Sequence, residues 1–173
     1  SGKSTVLNLI ARLYDSTSGE ILIDDVNIKK LNLNNLRNET AMVPQDAFLF
    51  SDSIKNNIKF GNENATDEEV IHFAKMADVQ KNIEKFEKQH DTVLGERGLT
   101  LSGGQKQRVS IARALIKKPN ILLLDDCLSA VDTETEEKIL YNLETLTKNK
   151  TTIIVTHRVS SAKNADVILI LED

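Results

Sequence analysis

Three short stretches of this sequence combine residue types that can handle phosphate and a divalent cation. Gly2-Lys3-Ser4-Thr5 stands directly before a run of helically spaced apolar residues. A glycine turn feeding a helix aims backbone N–H groups at an anion, a lysine there reaches the outer phosphates, and a serine hydroxyl can bind Mg²⁺. The tetrapeptide is the second half of a phosphate-binding loop, although alone it also fits a helix N-cap followed by a solvated lysine. Ile121-Leu122-Leu123-Leu124-Asp125-Asp126 is an apolar run ending in two carboxylates. Such a strand carries an acid to the C-terminal edge of a sheet, where Asp125 can hold Mg²⁺ through its water shell; it also fits a buried strand and a polar turn. Leu101-Ser102-Gly103-Gly104-Gln105 opens an amphipathic helix and offers a second phosphate-binding surface. The two surfaces are far apart along the chain, so both could serve one ligand only if two domains face each other.

These residues need elements to position them. Val6, Leu7, Leu9, Ile10, Leu13 and Tyr14 predict a helix that stops near 15–19. Short strands are expected at 20–24 and 26–28 around an Asp24-Asp25 turn, with another at 40–43 ending at Pro44. Thr66 with Glu69 three residues on reads as a capping box opening a helix to about 78, and a further helix is expected over about 79–86. Then follow a helix at 105–118 closed by Pro119, a strand at 121–125, a helix at about 133–146, a strand at 151–155, a short helix and a strand at 167–171. Apolar strands alternating with helices predict a parallel sheet covered on both faces. The mostly helical stretch 51–95 would sit beside it as a lobe.

Composition narrows the function classes. The 173 residues are 40% hydrophobic and 28% charged, as in an ordinary globular domain, which excludes collagen-like and disordered readings. The net charge of −4 gives no bulk reason to expect a nucleic-acid partner. The longest apolar run is 167–171, far short of the roughly 18 residues of a membrane helix. One cysteine, Cys127, excludes an internal disulfide framework and a cysteine-type zinc cluster, and it reads as a small buried filler. The chain opens on Ser1 without an initiator methionine, so its start is read as a cut end. Four of the seven glycines, Gly95, Gly98, Gly103 and Gly104, fall within ten residues, where unusual backbone or close approach to a ligand is expected.

Taken in order, these stretches resemble the nucleotide-binding domain of an ABC transporter. Walker A is matched by Ser1 to Thr5, the Q-loop by Val43-Pro44-Gln45-Asp46, and the signature by Leu101 to Gln105. Walker B is matched by Ile121 to Asp126, the D-loop by Ser129-Ala130-Val131-Asp132, and the switch histidine by His157 in Val155-Thr156-His157-Arg158. The resemblance implies an α/β P-loop NTPase fold: a mostly parallel sheet flanked by helices, with a helical subdomain and without the N-terminal β-subdomain strands. By it, 1–50 and 105–173 form the RecA-like core and about 51–104 the helical subdomain. The strand before the phosphate loop and the adenine-stacking aromatic would then precede Ser1, in a longer membrane transporter, and the chain alone should bind ATP poorly.

The same resemblance assigns roles. ATP and Mg²⁺ would be held by Ser1, Gly2, Lys3, Ser4 and Thr5, with Ser4, Gln45 and Asp125 at the metal. Ser102, Gly103, Gly104 and Gln105 would contact the nucleotide held by a second such domain. Gln45 would sense the metal and attacking water, His157 would contact the γ-phosphate, and Asp132 would couple the two sites. Thr92 to Gly98, with Glu96 and Arg97, is similar to the X-loop of exporters, so Gln45 and the segment from Gly95 to Gly98 are expected to meet membrane domains at the cytoplasmic face. Glu96 and Arg97 also fit a plain surface ion pair. Phe48 and Phe50 fit an exporter pattern and also ordinary core packing. His72 and His90 match no motif and read as surface residues.

Asp126 departs from the family, where a glutamate positions the attacking water. Aspartate pulls the carboxylate back by about 1.5 Å, and such a displacement can cost roughly 100-fold in rate. This is similar to the degenerate site of heterodimeric multidrug-type exporters, with an intact signature that completes the partner's competent site. The other readings are an Asp126 that works through a small backbone shift, a soluble ABC ATPase of DNA repair or translation, and a non-hydrolysing ATP-binding module. The span from Thr5 to Thr100 has no room for long coiled-coil arms and no sustained heptads, which counts against the repair type.

Overall fold

The structure, a computed structural model, describes residues 2–95 and 101–171. In chain order it begins with α1 (Lys3–Ile10), a hairpin of β1 (Leu22–Ile23) and β2 (Val26–Asn27), α2 (Leu33–Glu39) and β3 (Thr40–Val43). A helical run follows: α3 (Ile54–Lys59), α4 (Asp67–Met76), α5 (Gln80–Ile83) and the long α6 (Gly103–Ile116). Then come β4 (Ile121–Asp125), α7 (Thr133–Leu146), β5 (Thr151–Val155) and α8 (Val159–Ala162).

β3, β4 and β5 form one parallel sheet in that order, with Val43 opposite Leu124 and Asp125 opposite Val155. Its two faces explain why β4 is apolar at every position before its aspartate. Leu122 and Leu124 join a large core with α6 and α7 residues such as Val109, Ile116 and Ile139. Leu123 points the other way, into a smaller cluster with Leu7 and Ala11. Burying each such side chain stabilises the sheet by about 1.5–3 kcal/mol. The large core also takes in Ile54 and Ile58 of α3 and Val70, Phe73 and Ala74 of α4, so α6 packs on the sheet and on the helical run at once.

Helix ends follow local chemistry. Thr66 and Glu69 form the reciprocal capping box of α4, with contacts of 3.2 and 3.0 Å. The Asp24-Asp25 turn is present, both residues at positive φ, as a tight hairpin with right-handed strand twist requires. The second strand is one residue shorter than expected because Ile28 enters a 3-10 turn capped by the Asn27 side chain, and the first pairs only at Leu22 and Ile23. The first helix ends at Ile10 rather than near Tyr14. Arg12 turns to φ 49 and its guanidinium donates to the Ile28 and Leu31 carbonyls, pulling the chain out of the helix. α6 starts at Gly103, two residues earlier than expected, since Ser102 is its N-cap, and it ends before Lys118 at φ 54, ahead of Pro119. α5 is a single turn rather than a helix over 79–86.

The expected strand at 167–171 does not form. Its residues lie exposed, from 46% at Leu171 to 85% at Leu169, and no ladder pairs them among the described residues. Extended backbone becomes a strand only through a hydrogen-bonded neighbour, and β5 at the end of the sheet pairs only on its β4 side.

Candidate functional site

Because the three strands are parallel, their C-terminal ends share one edge. β3 delivers Pro44 and Gln45 there, β4 delivers Asp125 and Asp126, and β5 delivers Thr156 and His157. α1 points its N-terminus at this edge: the Ser4 Oγ donates to Asp125 Oδ1 at 3.0 Å, joining residues 121 positions apart. Gly2 sits at φ 44, a left-handed conformation that glycine adopts without steric cost, and no side chain caps the helix among the described residues. The first-turn N–H groups of α1 are therefore open to an anion. Lys3 is half-buried, Thr5 is exposed, and Ser1 lies outside the described residues.

Asp125 is buried and held by Ser4. Among the described residues no group of three or more His, Cys, Asp or Glu could hold a metal. A hydroxyl and a single carboxylate suit Mg²⁺, which keeps several waters and takes phosphate oxygens for the rest.

Asp126 adopts φ 44, which costs a non-glycine residue roughly 1 kcal/mol. Its N–H donates to the Val155 carbonyl at 2.9 Å, and its carbonyl accepts from the Ser129 N–H and Oγ at 3.2 and 2.8 Å. The backbone under this carboxylate is thus tied to β5 and to the D-loop. Cys127 beside it is buried and its thiol is pushed up to about 12 by burial, so it is no nucleophile at neutral pH.

At the second surface, Ser102 and Gln105 satisfy each other as a capping box: the Ser102 N–H donates to Gln105 Oε1 at 2.9 Å and the Gln105 N–H to Ser102 Oγ at 3.3 Å. Gly103 and Gly104 face the D-loop. A Cβ on Gly104 would lie 2.7 Å from the Ala130 carbonyl oxygen, so only glycine permits this approach. Arg108 donates to the Gly104 carbonyl at 3.2 Å and also to the Asp78 carbonyl, and burial pushes its guanidinium below the ordinary arginine range. Asp132 caps α7, and the Thr135 N–H donated at 3.0 Å holds its carboxyl below the usual carboxylate range.

Three residues outside the expected set organise this edge. The Gln107 carboxamide, 6% exposed, donates to the Gln45 carbonyl at 3.2 Å and accepts from the Ala130 N–H at 3.3 Å. Arg158, next to exposed His157, donates to the Ser129 and Val131 carbonyls at 2.9 and 3.1 Å and to the buried Glu136. Arg113 holds the segment after Gln45 through the Phe48 carbonyl at 2.8 Å and Asn57 at 2.7 and 2.8 Å. A polar residue inside the apolar stripe of α6 was a readable signal for Gln107; Arg158 and Arg113 carried none beyond their charge.

Phe48 and Phe50 are not core residues: both are exposed, and with Phe60 they form an aromatic group whose ring centroids lie 5.1 and 4.6 Å apart. Arg113 lies over the Phe50 and Phe60 rings at 5.3 and 5.9 Å. Burial pushes its guanidinium down to about 10. His72 is exposed as expected, whereas His90 is half-buried. Glu96, Arg97 and Gly98 of the X-loop-like segment lie outside the described residues, and Gly95 is described as exposed.

Comparison with known proteins identifies the family and the fold. A family model described as "ABC transporter" matches residues 1–129. Over 172 residues the chain is 51% identical to a multidrug export ATP-binding/permease protein of Staphylococcus aureus, covering 99% of this chain and 30% of that protein. It is 49% identical over 171 residues to ABC transporter B family member 14 of Arabidopsis thaliana, covering 99% of this chain and 14% of that one. A solved structure of a bacterial Atm1-family ABC exporter with ATP bound matches 99% of this chain and 30% of its own, at 44% identity and a TM-score of 0.95. The chain thus spans about 30% or less of the length of these relatives. With a P-loop α/β fold and a family match over most of its length, the chain belongs to the ABC transporter family.

Proposed function

We propose that this chain is the ATP-binding and ATP-hydrolysing portion of a membrane exporter, in which nucleotide-driven pairing of two such domains powers movement of a substrate across the membrane. The observation that carries the reading is the Ser4–Asp125 hydrogen bond, which places a phosphate-loop hydroxyl against a strand-end carboxylate. Gly2, Lys3, Ser4 and Thr5, with Ser1, hold the phosphates; Ser4, Gln45 and Asp125 hold Mg²⁺. The metal neutralises charge on the outer phosphates when bound. Asp126 and Gln45 orient the attacking water, whose oxygen bonds to the γ-phosphorus as the bond to the bridging oxygen breaks. His157 contacts the γ-phosphate. Ser102, Gly103, Gly104 and Gln105 face the nucleotide of the paired domain, and their mutual cap keeps that helix N-terminus in shape for it.

The relatives named for export or as permeases favour membrane domains in the same protein, met through Gln45, the aromatic group and the segment from Gly95 to Gly98, at the cytoplasmic face of the membrane. No helix among the described residues is long and apolar enough to cross a membrane. Asp126 favours a low-turnover site of its own in a heterodimer, since its backbone is tied at both ends and does not bring the shorter side chain forward freely. The 1–50 and 105–173 core and the 51–104 helical subdomain remain the working division.

The test is Mg²⁺-dependent ATP turnover by the complete transporter, alone and with its paired subunit. Lys3→Ala should abolish nucleotide binding at this site, and Ser4→Ala should raise the Mg²⁺ needed for half-maximal turnover about tenfold. Unchanged metal dependence would remove the assignment of Ser4.

A further inference from the structure

We propose that Gln107 is a positioning residue whose carboxamide sets the Gln45 loop and the D-loop in one register with the signature helix; this rests on the ATPase reading above. The side chain lies little more than one turn into α6 and is buried, where every polar atom requires a partner. Its donor goes to the Gln45 carbonyl, 62 residues away, and its acceptor to the Ala130 N–H, 23 residues away. A carboxamide offers a donor and an acceptor on one rigid plane. Leucine would fill the space but leave both backbone groups unpaired, and glutamate would keep only the acceptor.

The surroundings convert this bridge into a mechanical connection. Gly104 already brings α6 against Ala130, at a separation that admits no Cβ. From the other side Arg158, adjacent to His157, holds the Ser129 and Val131 carbonyls. The 129–131 backbone is thus gripped between the signature helix and the switch segment, and Gln107 extends that grip to Gln45. A displacement of the signature by a paired domain would reach the loop that orients the metal and water through this carboxamide. The Gln107 carboxamide is buried and spent on two backbone partners, so its effect falls on placement rather than chemistry.

Hydrogen exchange on the complete transporter without nucleotide tests the bridge directly. Gln107→Leu should speed exchange about tenfold at Ala130 and in the Gln45 loop together, with the interior amides of α6 unchanged. Gln107→Glu, which keeps the volume and the acceptor, should speed exchange in the Gln45 loop and spare Ala130. Protection of Ala130 in the leucine variant, or equal loosening along all of α6, would overturn the proposal. In turnover assays Gln107→Leu should lower kcat about tenfold with KM for ATP within about twofold, and should have a clearly smaller effect on kcat in a Gln45→Ala background, where only the Ala130 arm of the bridge still matters. Equal losses in both backgrounds would mark a plain packing role. Absence of turnover in the wild type would remove the ATPase reading, and the exchange data would still decide the bridge.

Discussion

Arg158 and Glu136 form a buried connection between the switch segment and α7: the guanidinium after His157 donates to a carboxylate with no solvent exposure, which also accepts from the Ser161 hydroxyl. Removing Glu136 strands a cation that also grips the D-loop. Glu136→Ala should cost about 3 kcal/mol, at the low end for a buried pair because the Arg158 side chain is about one-third open to water. A urea unfolding midpoint within error of wild type would contradict this.

Asp126→Glu lengthens the side chain by one methylene, which under the proposed function restores the reach of the carboxylate to the attacking water. If a shortened side chain limits turnover, the variant should hydrolyse ATP about 10- to 100-fold faster at this site in the complete transporter. No gain would remove the low-turnover reading, leaving Asp126 as an adequate residue in its present backbone.

Gly61, just after α3, lies directly against the backbone of α6. A Cβ there would lie 2.0 Å from the Arg113 carbonyl oxygen and 2.9 Å from Ile116 Cγ2. Because the obstacle is backbone, Gly61→Ala should cost about 3 kcal/mol, the upper end for overpacking. Thermal melting checks it; an unchanged midpoint would mean that α3 and α6 separate easily.

His90 supplies a pH dependence. Burial pushes its imidazole below the ordinary value of 6.5, with Asp91, Glu84 and Asp67 acting upward and Lys55 downward. The Nε2 has no hydrogen-bond partner among the described residues. The unfolded chain binds this proton at higher pH than the folded one, so the contribution is full above 6.5 and declines as pH falls toward the depressed folded value. His90→Gln should therefore show a smaller loss in unfolding midpoint between pH 7.5 and about 5.5 than wild type; an identical loss would place the effect elsewhere.

The strands 40–43, 121–125 and 151–155 and the helix 133–146 were legible to the residue. Each carries an unbroken apolar run or a clear helical stripe, and Asp132 and Pro44 punctuate two of them. Capping at Thr66 was equally plain, because both of its partners are local. What was not legible depends on partners distant in sequence. Arg12 ends α1 by reaching carbonyls at Ile28 and Leu31, and 167–171 has the pattern of a strand without a neighbour. Asn32 caps α2 through the Asn34 and Asn35 N–H groups, a local signal of the same kind as Thr66. At the site, residue types and motif order located Ser4 and Asp125, while the Gln107 bridge follows from packing that one helix cannot display.

The open edge of β5 and the bare 167–171 segment carry a practical consequence. Among the described residues β5 is paired on one side only and 167–171 presents five exposed aliphatic side chains, and each is a template for association between molecules. In solution by itself this polypeptide should self-associate as its concentration rises, with light scattering increasing in step. A charged substitution such as Leu169→Lys should suppress that association without disturbing the Ser4–Asp125 contact.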